Sequence, residues 1–133
     1  MKKIGIIGVG QLGSRYLQGL ASLQMDIEIF LVDPFEQSLN MALDRYNQVK
    51  ANSQQSIHLL NSIKSLPNKL DLVIVASTSD VRYEVLLELI EHLNVENIIL
   101  EKILFQDLDD YHRVLELEVL NQEKVWVNFS QRL

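Results

Sequence analysis

The 133-residue chain contains no cysteine and has fewer basic than acidic side chains. Without cysteine it has neither a disulfide framework nor a thiolate metal site. Its 12 lysines and arginines against 18 acidic residues give a formal net charge of −6. Nothing basic is clustered, so neither nucleic acid nor an anionic membrane surface is an expected partner. His58, His92 and His112 lie far apart without the spacing of metal ligands. We therefore expect no metal and interpret the histidines as surface or boundary residues.

Long hydrophobic runs are also missing. The amino-terminal MKKIGIIGVG joins two lysines to an apolar run, but glycines interrupt it early and no small-residue cleavage site follows. No segment approaches the ~20 apolar residues of a membrane span. These absences predict a soluble cytoplasmic protein without a membrane partner.

What the chain does have is a regular alternation of β-branched runs and amphipathic segments, within the length of one domain. Six strands are predicted, at residues 2–7, 26–32, 56–60, 70–77, 97–101 and 124–129. Helical spacing of apolar residues predicts helices after the first, second, fourth and fifth strands, the last around residues 108–120. The predicted inward faces are Leu12, Tyr16, Leu17, Leu20 and Ala21; Leu39, Ala42, Leu43 and Tyr46; and Val81, Val85, Leu86, Leu89, Ile90 and Leu93. Pro34 suits the first turn of the second helix, and Ser79 or Asp80 the cap of the third.

This order of elements predicts a doubly wound parallel sheet. Parallel neighbours need a crossover connection, which a helix supplies, and the crossovers are right-handed. The expected strand order is 3-2-1-4-5-6. Ligands of such sheets bind at the carboxyl ends of the strands, near the switch between strands 1 and 4.

The stretch GVGQLGSRYLQGL, residues 8–20, has glycines at G-x-G-x-x-G spacing between the first strand and the first helix. Gly8 would permit a tight turn, Gly10 would let a pyrophosphate approach the backbone, and Gly13 would let helix and strand pack closely. The free N–H groups of the helix would face the phosphates. Glycine-rich turns also occur as plain connections, so this pattern alone leaves both interpretations open.

Asp33 lies 20 residues beyond Gly13, at the end of the second strand. An acid there can accept hydrogen bonds from the adenosine ribose hydroxyls of a dinucleotide. The alternative is a helix cap ahead of Pro34. No arginine or lysine follows before Arg45 to neutralise a 2′-phosphate, so the sequence predicts NAD rather than NADP.

Two further stretches fall at the same predicted edge of the sheet. Ser77 and Thr78 close the fourth strand and either lie beside the cofactor or cap the next helix. Glu101 and Lys102 close the fifth strand, where they either belong to a site or form a solvated charged pair.

In this order and at these intervals, GVGQLGSR, Asp33, VASTSDVRYEVLLELIEH and ILEK resemble the nucleotide-binding Rossmann half of the Gfo/Idh/MocA oxidoreductases. The resemblance covers nearly the whole chain. It implies that Lys102 positions the substrate for catalysis, in a Glu-Lys pair that is usually followed by proline; here Ile103 follows. The cofactor-binding residues expected are Gly8, Val9, Gly10, Gln11, Leu12, Gly13, Asp33, Ser77, Thr78 and Glu101.

The resemblance also implies a second, substrate-binding domain with the acid/base residue, for which these residues leave no room. We therefore expect residues 1–133 to be the NAD-binding domain of a larger oxidoreductase, inactive without its second domain. Its substrate would be a sugar, a cyclitol or a similar small molecule with a CH–OH group. The alternating VWVNF, along an edge strand, suggests a surface for self-association into a homo-oligomer.

Two other classes stay open from the residues alone. A free-standing dinucleotide-binding regulatory module would have a similar length, glycine motif and acid, but gives no reason for Glu101 and Lys102. A methyltransferase that uses adenosylmethionine could share the sheet and the glycine turn, with Asp71 as its acid near strand four.

Overall fold

A computed structural model describes residues 1–49, 54–78, 81–101 and 125–128. In this part of the chain six parallel strands form one sheet, in the order β3-β2-β1-β4-β5-β6, which confirms the predicted topology. The strands are β1 (Lys2–Ile7), β2 (Ile27–Val32), β3 (Ser56–Leu60), β4 (Lys69–Val75), β5 (Asn94–Glu101) and β6 (Val125–Asn128). The helices are α1 (Gln11–Ala21), α2 (Glu36–Val49) and α3 (Arg82–His92), with a short 3₁₀ turn at Ile63–Ser65. The predicted helix around 108–120 lies outside the described residues.

Both faces of the sheet are covered, which explains the nearly continuous apolar strands. On β2, Ile27, Ile29 and Leu31 pack in a core under α1 and α2, whereas Phe30 and Val32 pack in a second core under α3. Of the fifteen helix residues predicted to face inward, seven are buried in these two cores and five more are partly buried against them. Those that are buried are Leu17, Ala21, Leu39, Ala42, Tyr46, Leu86 and Leu89.

Three boundaries differ from the sequence prediction by more than one residue. Strand β4 ends at Val75 rather than at Ser77, because the chain turns there and the N–H of Ala76 donates to Ile7 O at 2.8 Å. Strand β5 starts at Asn94 rather than at residue 97, because its first residue pairs with Lys69 of β4. Helix α2 begins at Glu36, so that Pro34 precedes the helix instead of lying in its first turn.

The start of α3 was also predicted wrongly. Val81, predicted to face inward, occupies the N-cap position and is 43% exposed. The inward position is taken by Arg82, which is buried. Ser79 and Asp80, the predicted caps, lie outside the described residues.

A buried glutamine connects the ends of α1 and α2. The Tyr46 hydroxyl donates to Gln55 Oε1 at 2.7 Å, and Gln55 Nε2 donates to the carbonyls of Leu20 and Leu23 at 2.9 and 3.2 Å. Burial raises the pKa of Tyr46 above its usual value. This network holds the segment before β3 against both helices on one face of the sheet.

The histidines in the described residues lie at the surface, as predicted. The His58 ring stacks on Phe30 with 4.7 Å between ring centroids, and its Nε2 lies 3.0 Å from a Glu28 carboxylate oxygen. His92 is exposed at the end of α3. His112 lies outside the described residues. No helix among the described residues is both long and apolar enough to cross a membrane.

Candidate functional site

The glycine turn has the geometry that the sequence predicts for two of its three glycines. Gly8 has φ +86°, and a Cβ added to it would lie 2.7 Å from Ser77 N. A Cβ on Gly13 would collide with the carbonyl of Gly8. A side chain is thus excluded at Gly8 by the backbone conformation and by the β4–α3 connection, and at Gly13 by the close packing of α1 on the Gly8 carbonyl.

Gly10 differs, because no atom lies within 4 Å of a Cβ added to it. It occupies the N-cap position of α1, where the N–H of Ser14 donates to its carbonyl at 2.9 Å. Glycine offers no side chain to cap the first N–H groups of the helix, so these groups remain available to an anion. Gln11 and Leu12 begin α1, and the description does not extend to their side chains.

Asp33 accepts a hydrogen bond from the glycine turn and also lines the cleft beside it. It is 7% exposed, and its Oδ2 accepts a hydrogen bond from Val9 N–H at 3.0 Å. Its Oδ1 accepts from Phe35 N–H at 2.9 Å, beside the start of α2. A carboxylate has about four lone-pair sites, so two remain for a ligand hydroxyl. Because α2 begins at Glu36, the bond to Phe35 N–H lies ahead of the helix rather than in its first turn, and the bond to Val9 was not foreseen.

Ser77 and Thr78 lie directly beside the glycine turn. The Ser77 Oγ is inaccessible to solvent and has no hydrogen-bond partner in the part of the chain that the structure describes. The N-cap position of α3 is occupied by Val81, whose N–H donates to Thr78 O at 3.3 Å. The capping alternative for Ser77 and Thr78 is therefore wrong.

Arg82 was missed by the sequence analysis. It is 4% exposed, and its guanidinium donates to the carbonyl of Ser77, so that it fixes the turn packed against Gly8. Its spacing from Leu86 and Leu89, four and seven residues, places a charged residue on the buried face of α3. That spacing was a usable signal, since arginine is rarely buried unless its charge is satisfied.

These residues line one cleft of about 830 Å³ at the carboxyl ends of the strands. Five of the predicted site residues contribute to it, namely Gly8, Gly10, Asp33, Ser77 and Thr78. Two exposed apolar side chains also line the cleft, Phe35 at 69% and Val81 at 43% exposure. Apolar surface next to a few polar groups is typical of a small-molecule site.

The remaining predicted residues belong to the end of β5. Glu101 is the last residue of that strand and pairs with Asn128 of β6, so its backbone lies at the same edge of the sheet. Its side chain is not described. Lys102 and Ile103 lie outside the described residues.

A second, smaller cleft of about 460 Å³ lies at the amino ends of the strands, on the opposite side of the sheet from the glycine turn. It is lined by Lys3, Asp71 and Glu96, among others. Asp71 accepts a hydrogen bond from Lys3 N–H at 2.8 Å and lies 3.9 Å from the Lys2 ammonium. The backbone hydrogen bond from Lys3, helped by the Lys2 charge, lowers the pKa of Asp71. This acid therefore belongs to the edge away from the glycine turn, which removes the support for a methyltransferase site.

The comparison with known families decides the assignment. The family model described as "Oxidoreductase family, NAD-binding Rossmann fold" (GFO_IDH_MocA) matches residues 2–129. The chain belongs to the Gfo/Idh/MocA oxidoreductase family. The matched region is the NAD-binding domain of this family, which confirms the predicted fold, family and cofactor and does not favour the two alternative classes.

Solved structures share this fold at low sequence identity. A putative myo-inositol dehydrogenase from Sinorhizobium meliloti is 15% identical with a TM-score of 0.70, over 96% of this chain and 36% of that one. A Gfo/Idh/MocA oxidoreductase from Vibrio cholerae is 20% identical with a TM-score of 0.71, over 97% and 39%. GenD2 from gentamicin A biosynthesis, in complex with NAD, is 12% identical with a TM-score of 0.67, over 96% and 34%. No curated protein matches. The chain thus spans well under half the length of these structures.

Proposed function

We propose that this chain binds NAD in the cleft at the carboxyl edge of the sheet and acts as the cofactor domain of a larger oxidoreductase. The observation that carries the proposal is that Gly8, Gly10 and Asp33 line one cleft, with the Asp33 carboxylate bonded to the glycine turn. The glycine turn and the acid of the dinucleotide fingerprint are thus joined by a hydrogen bond.

The residues fit the groups of NAD in a definite order. The first turn of α1, which follows Gly10 and has no side-chain cap, would hold the pyrophosphate, because free N–H groups and the helix dipole both favour an anion. The free lone pairs of Asp33 would accept from the adenosine ribose hydroxyls. Ser77 and Thr78 would line the path of the cofactor across β4.

Asp33 also favours NAD over NADP. A 2′-phosphate charge about 4 Å from its carboxylate would be repelled by about 4 kcal/mol at an effective dielectric constant near 20. A hydrogen bond from a ribose hydroxyl to the same carboxylate contributes about 1.5 to 3 kcal/mol. Both effects act in the same direction.

For the whole enzyme we propose hydride transfer at a CH–OH carbon of a sugar, a cyclitol or a related small molecule. The hydride would pass between that carbon and the nicotinamide, while the hydroxyl proton moves to or from a protein group. Lys102, the residue after β5, is proposed to position the substrate and to share proton handling with a residue of a second domain. The family assignment and the myo-inositol dehydrogenase among the structural relatives support this substrate class.

Two glycine substitutions on the same helix element test the cofactor site. Gly10→Ala has room for its methyl group within the protein, so the fold should be kept, but the methyl would occupy the approach of the pyrophosphate. We expect calorimetric titration to show at least about tenfold weaker NADH binding. Gly19→Ala, equally open but exposed near the far end of α1, is the matched control and should bind as the wild type does. Equal binding by both variants would contradict the proposed site.

A further inference from the structure

The wall of the cleft formed by α3 ends in an acidic residue. Val81, Val85 and Glu88 all line the cleft, and their spacing of four and three residues places them in one row along the helix. From Val81 to Glu88 the helix rises about 10 Å. Since α3 starts at the carboxyl ends of the strands and runs back along the sheet, Glu88 lines the cleft about two helical turns from Val81.

The lining of the cleft combines polar and apolar groups. Asp33 provides a polar group for ribose hydroxyls, and Phe35, Ile63 and Val85 provide apolar surface. Flat apolar surface suits the faces of a nucleobase. Glu88 is partly buried and then adds an acceptor along the same wall.

A carboxylate accepts hydrogen bonds and donates none. Adenine presents a donor at its exocyclic N6 amino group, whereas the six-position of guanine or hypoxanthine is an oxygen that can only accept. We propose that Glu88 is a specificity-determining residue that recognises the N6 amino group of the cofactor's adenine. This inference rests on the proposed function, because it requires the adenosine half of NAD to occupy the cleft.

The test compares NADH with reduced nicotinamide hypoxanthine dinucleotide, in which an oxygen replaces the six-amino group and N1 carries a hydrogen. In calorimetric titrations the wild-type chain should bind the hypoxanthine analogue about tenfold or more weakly, since a hydrogen bond to a charged group is lost and two acceptors face each other. Glu88→Gln should bring the ratio of the two dissociation constants close to one. A glutamine amide can accept from N6 through its oxygen or donate to the six-oxygen through its nitrogen.

Glu91→Gln is the matched control. Glu91 is exposed and lies one helical turn further along α3. Its substitution by glutamine removes the same charge. General effects of charge on the anionic cofactor cancel in the ratio, so Glu91→Gln should retain the wild-type preference. If Glu88 had only a structural role, Glu88→Gln would weaken the binding of both dinucleotides equally and leave the ratio of their dissociation constants unchanged.

The outcomes separate this inference from the proposed function. If the wild type binds NADH and the hypoxanthine analogue equally well, or if Glu88→Gln retains the wild-type ratio, the role of Glu88 is overturned while the NAD site stands. If neither dinucleotide binds, both proposals are overturned. A wild-type preference for NADH that Glu88→Gln removes and Glu91→Gln retains supports the assignment.

Discussion

The Oδ2 atom of Asp33 accepts a hydrogen bond from the backbone N–H of Val9 at 3.0 Å, across 24 positions of the sequence. This bond joins the end of β2 to the glycine turn after β1. One carboxylate therefore fixes the shape of the turn and also presents lone pairs to the cleft. Changes at Asp33 should accordingly affect both the stability of the fold and the recognition of the cofactor.

Asp33→Asn should separate these two roles. An asparagine keeps one acceptor oxygen but turns its NH₂ towards one of the two N–H donors, at a cost of about 1 to 3 kcal/mol in the free energy of unfolding. Loss of the charge also removes the repulsion of a 2′-phosphate, so the preference for NADH over NADPH should fall. Urea unfolding and parallel titrations measure the two effects. Asp44→Asn, exposed on α2, controls for the change of net charge, and an unchanged NADH preference in Asp33→Asn would refute the role of its charge.

Gly8→Ala should be strongly destabilising. The added Cβ would be strained at φ +86° and would overlap the backbone of Ser77, at a cost of about 2 to 4 kcal/mol. Gly19→Ala adds the same group within a helix and should instead stabilise the fold by about 0.5 to 1 kcal/mol. Urea unfolding of both variants checks this contrast, which would fail if Gly8→Ala were as stable as the wild type.

Tyr46→Phe should destabilise the face that carries α1 and α2. It removes the hydroxyl that donates to Gln55 Oε1 and leaves that buried acceptor unsatisfied, at a cost of about 1 to 3 kcal/mol. The hydroxyl is stabilising only while it is protonated. Burial raises the pKa of Tyr46 in the folded state. The contribution of the hydroxyl to the free energy of unfolding is therefore complete below the pKa of the unfolded chain, near 10, and is lost as the pH rises through the pKa of the folded state. The difference in unfolding free energy between the wild type and Tyr46→Phe should therefore shrink at strongly alkaline pH, and a difference independent of pH would contradict this account.

Asp71 should have the opposite dependence on pH. The pKa of Asp71 in the folded state is lowered, chiefly by the hydrogen bond from Lys3 N–H. Its contribution to the free energy of unfolding is therefore present above the pKa of the unfolded chain, near 3.9, and is lost as the pH falls through the pKa of the folded state. Asp71→Asn should be less stable than the wild type at neutral pH, and the two should converge in acid. Thermal unfolding between neutral pH and about pH 3 measures this. NADH binding should be unaffected at neutral pH, since Asp71 lies at the edge of the sheet away from the glycine turn.

The strand order and the glycine site could be predicted because each depends on patterns within short segments. Alternating strands and helices determine a parallel sheet, and the glycines and Asp33 occupy fixed positions at the ends of β1 and β2. The bond from Val9 to Asp33 and the Gln55 network join residues 24 and up to 35 positions apart, which periodicity does not report. Val81 shows a second limit, because an apolar residue that faces a cleft has the same spacing as one that faces the core.

NAD binding in the cleft between the glycine turn and Asp33 underlies every other proposal for this chain. It is tested most directly by calorimetric titration of the 133-residue chain with NADH and, in parallel, with NADPH. We expect saturable binding of NADH to a single site and at least about tenfold weaker binding of NADPH, because of the Asp33 charge. Absence of NADH binding, or equal affinity for the two dinucleotides, would contradict it.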